Sequence, residues 1–484
     1  MKSSLASFER GWPRLSLFVL GYVCFGLGLL MLVLALFSLA LGRSSAGFWV
    51  GGGLGLLLGW PLHALGDWKE PRRVELLFTV AVLWLVLPFL GAIPFWLSGG
   101  FSYLDALFEA MSALTTTGAT VLVHFSHLDP FLFVWRSLLA WLGGLAILIT
   151  FVTVFIPLGV AGRQLFQDPT VQREALPGRL REAARSLVRV YALLSVLAFL
   201  AFGLSGMPWF AAFCNSLSTV ATAGFSVDPR SFAHYGPLTQ WVALVVMFLA
   251  GSNYLFQYRL FFRGETRVLR EPEVRAYVGV ILGASAILFA ELLARHRYAW
   301  EGALRHALFE VTSIVSTSGL ASADRAHWGL PAQLLLLLLM FVGGSLASSA
   351  GSIKILRWLI LGGLVRRELQ RTLHPQAVLP LRLGARPLAD EVLRSVAAFV
   401  TLYLAVFAIG ALLLAMIQGD FLSALSASAQ ALGNIGAGLS QGMSYGSFQP
   451  LAKLVMILEM WMGRVELIPA FLWVLPEFWR KLRA

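Results

Sequence analysis

The chain has 484 residues, of which 58% are hydrophobic and only 13% charged, and its mean hydropathy is +0.77. A soluble globular domain carries about twice that charged fraction, so a water-soluble fold is excluded. The net charge of +12 raises nucleic acid as a partner, but its distribution argues against one. Lys and Arg cluster at 2–14, 69–73, 163–189, 259–275, 357–394 and 480–483, while the intervening loops 121–131 and 439–450 are almost free of them. That alternation is the positive-inside pattern of a multi-pass membrane protein, and it sets both termini on the cytoplasmic side.

In chain order, apolar runs predict ten spanning helices near 15–41, 47–66, 74–98, 131–160, 186–205, 237–262, 275–295, 331–364, 392–417 and 449–478. Runs of about 20 residues suit a hydrocarbon core roughly 30 Å thick. The first is too long for a secretory h-region and lacks a small-residue cleavage site, which predicts a retained helix. Cys24 and Cys214, both in apolar context, predict no disulfide framework.

Between these runs lie four shorter segments, 103–117, 208–223, 300–318 and 420–435, each moderately apolar and ending in small polar residues and a glycine. At about 15 residues, such a helix covers roughly 22 Å and cannot cross unaided. It can enter and return as irregular chain where that chain lines a water-filled cavity. Each is flanked by two spanning helices, so the chain reads as an internal repeat. The expected segmentation is a two-helix extension over 1–70, then repeats over 71–160, 161–262, 263–365 and 366–484.

Aligned on their glycines, the four segments share a pattern. Gly118, Gly224, Gly319 and Gly436 are preceded by Thr117, Ala223, Ser318 and Ile435, and before those by Thr116, Thr222, Thr317 and Asn434. Six residues before each glycine stand Ser112, Ser218, Ser313 and Gln430. A potassium ion in a narrow pore must exchange its water shell for protein oxygens, which rings of backbone carbonyls provide. Glycine lets the chain take φ > 0, so successive carbonyls can face one axis. The negative C-terminal end of each short helix favours a cation. The four glycines and the two residues before each, twelve in all, are therefore the candidate selectivity filter. One glycine per loop implies a shorter filter than a two-glycine loop builds. Small residues at helix contacts explain any single loop equally well; four loops in register favour the filter.

The residues also resemble a family. Residues 108–120, Phe-Glu-Ala-Met-Ser-Ala-Leu-Thr-Thr-Thr-Gly-Ala-Thr, are similar to the first pore loop of the TrkH branch of the Trk/Ktr/HKT potassium transporter superfamily. Trp135-Arg136-Ser137, Trp141-Leu142-Gly143-Gly144, His374-Pro375-Gln376-Ala377-Val378 and Gly463-Arg464-Val465-Glu466 extend the resemblance over nearly the whole chain. It implies an all-α integral membrane fold, with four membrane–pore loop–membrane repeats around a central pore and two extra transmembrane helices in front. It further implies potassium as the transported ion, no covalently bound cofactor, a homodimer, and a cytosolic nucleotide-binding, TrkA-like regulatory subunit. The bacterial cytoplasmic membrane is the implied location. Helix 331–364 is interrupted at 343–352, where the family has a gating loop. The resemblance assigns Gly343, Gly344, Ser345, Ser348, Ser349 and Gly351 to it, while a simple kink is the competing reading. This sequence carries fewer glycines there than the family usually shows. The family's matching arginine makes Arg464 an electrostatic barrier beneath the filter. A structural pair with Glu459, Glu466 or a loop carbonyl is its other reading. Lys354 either joins the gate or snorkels toward the cytoplasm.

Other signals are read as structural. His124, His127 and Asp129 suggest a solvated loop rather than a metal site, and Gly53, Gly55 and Gly59 helix packing rather than dinucleotide binding. Glu109 and Glu310 are expected to brace pore helices. Asp129, Asp228 and Asp324 either concentrate cations at the mouth or are ordinary loop polarity. No GKS/T phosphate loop is present, which argues against ATP hydrolysis. Two alternatives remain: a sodium- or proton-coupled or weakly selective transporter of the same fold, and a multi-pass membrane transferase. The latter leaves the fourfold glycine register unexplained.

Overall fold

The computed structural model describes residues 14–43, 46–67, 72–123, 125, 128–155, 176–377, 379–384, 386–436, 438 and 444–483. The first two helices, α1 (Arg14–Ala40) and α2 (Ala46–Leu65), pack backbone to backbone. A Cβ added to Gly55 would fall 2.7 Å from the Gly28 Cα, and one on Gly59 would fall 2.7 Å from the Phe25 amide nitrogen. Without a hydrophobic driving force in lipid, small residues bring such helices together by close contact. Gly53 faces open space, so the glycine run is a packing surface in part only.

Four units follow. In the first, α3 (Arg73–Gly91) and its continuation α4 (Ile93–Gly99) lead to the short helix α5 (Tyr103–Leu114) and then α6 (Pro130–Thr150), which ends in a π-turn at Phe151–Phe155. In the second, α7 (Leu176–Leu204) leads to α8 (Trp209–Val220), α9 (Pro237–Gly251) and α10 (Tyr254–Arg263). The third comprises α11 (Pro272–Ala294), α12 (Trp300–Val315), α13 (Leu330–Leu339) and α14 (Ile355–Leu373). A small antiparallel hairpin, β1 (Arg382–Leu383) with β2 (Arg386–Pro387), precedes the fourth. That unit comprises α15 (Asp390–Gln418), α16 (Phe421–Gly433), α17 (Pro450–Arg464), α18 (Ile468–Phe471) and α19 (Pro476–Arg483).

The short helices α5, α8, α12 and α16 have 12, 12, 16 and 13 residues. Their C-terminal halves are buried on all sides, whereas Leu204, Leu412 and Met416 on the long helices face outward. Capping sets where two of them begin: Ser102 accepts from the Asp105 N–H at 3.2 Å, and Asp420 from the Ser423 N–H at 3.2 Å. The returning helices α6, α9, α13 and α17 all carry proline in their first turn. There the missing N–H costs nothing and the fixed φ suits the helix.

Two expected spans are corrected. The run 237–262 is not one helix: α9 and α10 meet at a 105° bend. Asn253 makes the break, because its side chain accepts from the Leu255 and Phe256 N–H groups and starts a new helix. The run 449–478 also breaks, after Arg464, where Glu466 and Leu467 take φ of 61° and 57°. Among the described residues, seven helices are long and apolar enough to cross a membrane, or eight with the bent pair counted as one span. The third unit is interrupted between α13 and α14, as the Gly/Ser run predicts. Cys24 and Cys214 are free and buried.

Candidate ion pathway

Each short helix ends in the same device. The residue two before the glycine enters the left-handed region: φ is 54° at Thr116, 55° at Thr222, 60° at Thr317 and 48° at Asn434. The next N–H then turns back to the helix. Thr117 donates to the Ser112 carbonyl (2.8 Å), Ala223 to Ser218 (2.9 Å) and Ile435 to Gln430 (3.0 Å). In the third loop the bond shifts by one residue, Gly319 donating to Ser313 at 3.1 Å. This is a helix C-cap of the Schellman type. It explains why the position six before the glycine recurs, since its carbonyl is the acceptor. A threonine with positive φ is strained, by about 1–3 kcal/mol at each site, and persists only where the surroundings enforce it.

The glycines follow at φ 75° for Gly118 and Gly224 and 66° for Gly319. All four converge. A Cβ on Gly118 would lie 1.7 Å from the Ala223 carbonyl oxygen, and one on Gly224 would lie 2.2 Å from that of Ser318. One on Gly319 would lie 2.0 Å from the Gly436 Cα. No side chain fits at any of them, and carbonyls of two loops point at the glycines of their neighbours.

The hydroxyls flanking this ring face two ways. Thr117 Oγ1 bonds to Thr115 Oγ1 (2.7 Å) and Ser318 Oγ to Ser316 Oγ (3.0 Å), bracing the loops from behind. Ile435 has no such group. On the other side, Thr317 Oγ1 accepts from the Gly351 N–H (3.0 Å), and Thr222 Oγ1 lies 3.3 Å from Ser349 Oγ. Thr116 Oγ1 and Asn434 Oδ1 are buried oxygens with no hydrogen-bond partner among the described residues.

Those contacts place the α13–α14 loop directly against the filter candidates. The loop is held from three sides. Ser345 N–H donates to the Gly251 carbonyl (2.9 Å), Leu346 N–H to Glu273 Oε1 (2.6 Å), and the Ala347 carbonyl accepts from Tyr254 N–H (3.1 Å). Arg464 donates to the Ser349 carbonyl (2.9 Å) and to the Gly143 carbonyl (3.3 Å). Of its expected structural partners, therefore, the loop carbonyl is the one found. Lys354 does not snorkel: it is 3% exposed and its Nζ lies 3.3 Å from Glu466, which also pairs with Arg357. Within the loop, Ser348 Oγ donates to the Ser345 carbonyl (2.6 Å) and Ser352 Oγ to Met340 (2.7 Å). A Cβ on Gly344 would meet the Gly251 carbonyl oxygen at 2.6 Å, and one on Gly351 that of Gly433 at 2.2 Å. Gly343 takes φ 75°.

On the opposite side, Glu109 and Glu310 repeat one arrangement. Each reaches twelve residues ahead, Glu109 accepting from Val121 N–H (2.7 Å) and Glu310 from Ser322 N–H (2.6 Å). Each also meets a buried arginine, Arg136 at 3.9 Å and Arg325 in a direct hydrogen bond. They brace the chain that follows the candidate filter loops. Asp129, Asp228 and Asp324 each accept from the N–H two residues on, at 2.8, 2.8 and 3.0 Å, which is loop and cap chemistry. Among the described residues no cluster of metal-ligating side chains occurs, and His124 and His127 lie outside them.

Sequence reasoning missed Glu273 and Arg325, quoted Arg136 only within a family-like run without its Glu109 partner, and missed Lys354's partner. Glu273 stands in the first turn of α11, where an acid at a helix N-terminus is ordinary and attracts no notice.

The comparisons agree with this fold. A family model described as "TrkH: Cation transport protein" matches residues 55–480. The chain is 33% identical over 446 residues to the Trk system potassium uptake protein TrkH of Salmonella typhimurium, covering 90% of this chain and 91% of that one. It is 31% identical over 421 residues to the Trk system potassium uptake protein TrkI of Halomonas elongata, covering 85% of each. The crystal structure of the potassium transporter TrkH from Vibrio parahaemolyticus superposes with a TM-score of 0.89 at 31% identity, covering 96% of this chain and 99% of that one.

Proposed function

Because this chain belongs to the TrkH family of cation transport proteins, we propose that it takes up potassium through the ring formed by Gly118, Gly224, Gly319 and Gly436. The observation that carries the reading is the fourfold convergence of glycine backbone, each loop preceded by a residue of positive φ. Carbonyls of the residues before the glycines replace part of the ion's water shell. Thr116 Oγ1 and Asn434 Oδ1, with no hydrogen-bond partner among the described residues, supply further oxygens at the inner end. The pore helices α5, α8, α12 and α16 aim their negative ends at that point.

The loop between α13 and α14 is the gate in this reading, with Gly343, Gly344, Ser345, Ser348, Ser349 and Gly351 forming it and Lys354 and Arg464 holding it. The protein sits in the bacterial cytoplasmic membrane with both termini cytoplasmic. It works as a homodimer on a cytosolic ring of TrkA-like nucleotide-binding subunits. The exposed Arg267 and Arg270 offer such a partner a basic surface.

The test is rubidium and sodium flux into liposomes holding the purified protein, beside a Gly118→Ser/Gly319→Ser variant. Rubidium exceeding sodium in the parent, with selectivity lost in the variant, supports the assignment. If neither ion moves, even with loop 343–352 deleted, the pore reading fails. A second reading, weak selectivity, rests on Asn434 and Ile435 in the fourth loop; equal flux of both ions would select it.

A further inference from the structure

The first half of the gate loop is attached both to the second unit and to the start of its own unit. Ser345, Leu346 and Ala347, three consecutive residues, bond to the break between α9 and α10 and to the first turn of α11. Glu273 stands at the centre of that joint. Its Oε1 accepts the Leu346 N–H at 2.6 Å, and its Oε2 accepts from Asn253 Nδ2 at 3.4 Å. Asn253 is also the residue that starts α10.

Between α10 and α11 runs a short cytoplasmic segment, 264–271. One end is closed by the Arg259–Glu265 ion pair (2.7 Å) and the Glu265 N–H to Arg259 carbonyl bond (3.0 Å). Its middle is a 3₁₀ turn, Thr266–Arg270, anchored by buried Val268 and presenting exposed Arg267, Leu269 and Arg270. Glu271 is the residue that precedes α11, and Glu273 follows two residues later. Only a few residues of chain thus separate this exposed turn from the carboxylate that holds a gate-loop amide.

Resting on the pore reading above, we propose that Glu273 is a positioning residue that latches the gate loop shut and couples it to segment 264–271. A load on that segment withdraws the carboxylate from the Leu346 N–H and frees the first half of the loop. Arg464 holds the second half independently, through Ser349. The physical requirement is a latch weak enough to be released. One hydrogen bond from a buried amide to a carboxylate, worth about 1.5–3 kcal/mol, is of that size.

The test uses the full chain in liposomes without a partner, measuring rubidium and sodium flux in the same vesicles. Glu273→Ala is expected to raise rubidium flux by about tenfold or more, the factor that one such bond represents. The rubidium-to-sodium ratio should hold at the parent's value. Glu273→Gln, which keeps a carbonyl acceptor for Leu346, should return flux most of the way to the parent level. A folded Glu273→Ala protein with flux at or below the parent's, or one whose ion ratio collapses, would overturn the proposal in favour of a merely structural acid. Glu273→Gln as leaky as Glu273→Ala would overturn it too. Should Glu273→Ala not fold, Asn253→Ala decides: a smaller rise at constant ion ratio supports the latch, and parent-level flux refutes it. A parent and a loop 343–352 deletion that both move neither ion defeat the pore reading instead.

Discussion

Asn434 in the fourth loop donates through Nδ2 to Thr117 Oγ1 in the first loop at 3.0 Å, and to the Met460 carbonyl on α17 at 2.9 Å. The fourth loop therefore departs from the threonine pattern in a way that ties two loops together. Asparagine also tolerates φ of 48° better than the threonines tolerate their own. Asn434→Ala removes both advantages. The expected result is a rubidium-to-sodium ratio lowered about five- to tenfold, corresponding to roughly 1 kcal/mol for a lost hydrogen bond. Ion competition in liposomes measures it, and an unchanged ratio would remove Asn434 from the selectivity assignment.

Two glycines outside the candidate filter pack against the ends of the short helices α5 and α16. A Cβ on Gly143 would sit 1.9 Å from the Leu114 carbonyl oxygen, and one on Gly463 would sit 2.0 Å from that of Leu432. Leu114 and Leu432 occupy equivalent places, four residues before Gly118 and Gly436. Gly143→Ala and Gly463→Ala should each destabilise the protein by about 1–3 kcal/mol through overpacking. The thermal unfolding midpoint in detergent reads this directly. Gly53→Ala, at a position with open space around it, is the control and should leave the midpoint in place.

Glu310 and Arg325 form a buried pair, 0% and 2% exposed. Glu310→Gln leaves the arginine's charge in a dry site and should cost about 3–5 kcal/mol, as removing one partner of a buried pair does. Arg325→Met strands the carboxylate and should cost a similar amount. The double variant should lose clearly less than the sum of the two. Additive losses in denaturation would mean that the two groups act separately.

Arg464 binds the carbonyls of Ser349 and Gly143, so it links the interrupted loop to α6. Arg464→Met keeps much of the side-chain length and removes the donors. Partner-independent rubidium flux should rise several-fold, since hydrogen bonds from a charged group contribute about 1.5–3 kcal/mol. The ratio of rubidium to sodium should stay constant, because the filter loops keep their own caps. A fall in flux with the protein intact would mean that Arg464 props the pathway open.

Much of this was legible in residues 108–120 and their three counterparts, where spacing alone aligned the glycines. The left-handed φ at Thr116, Thr222 and Thr317 was not legible, because threonine is among the residues least suited to it. Only the packed loops of neighbouring units impose it. The break after α17 was hidden for a related reason. Val465 and Leu467 continue the apolar run, and Glu466 is held by Lys354 and Arg357 from another repeat. Hydropathy cannot record a partner over a hundred residues away. The break at Asn253 did leave a local trace, a good helix-starting residue after Gly251-Ser252, which the length of the apolar run outweighed. Position alone left two readings open for Lys354, since a lysine near a helix start ordinarily reaches for water and its partner Glu466 lies in another repeat.

The returning helices of the second, third and fourth units all break, after Gly251, Leu339 and Arg464. Their outer halves stand with the filter loops, while their inner halves continue beyond joints of their own. Under the proposed reading, substitutions at the joints would change how readily the passage opens and leave the candidate filter loops untouched. On that reading, how often the passage opens and which ion it takes are separable properties of one chain.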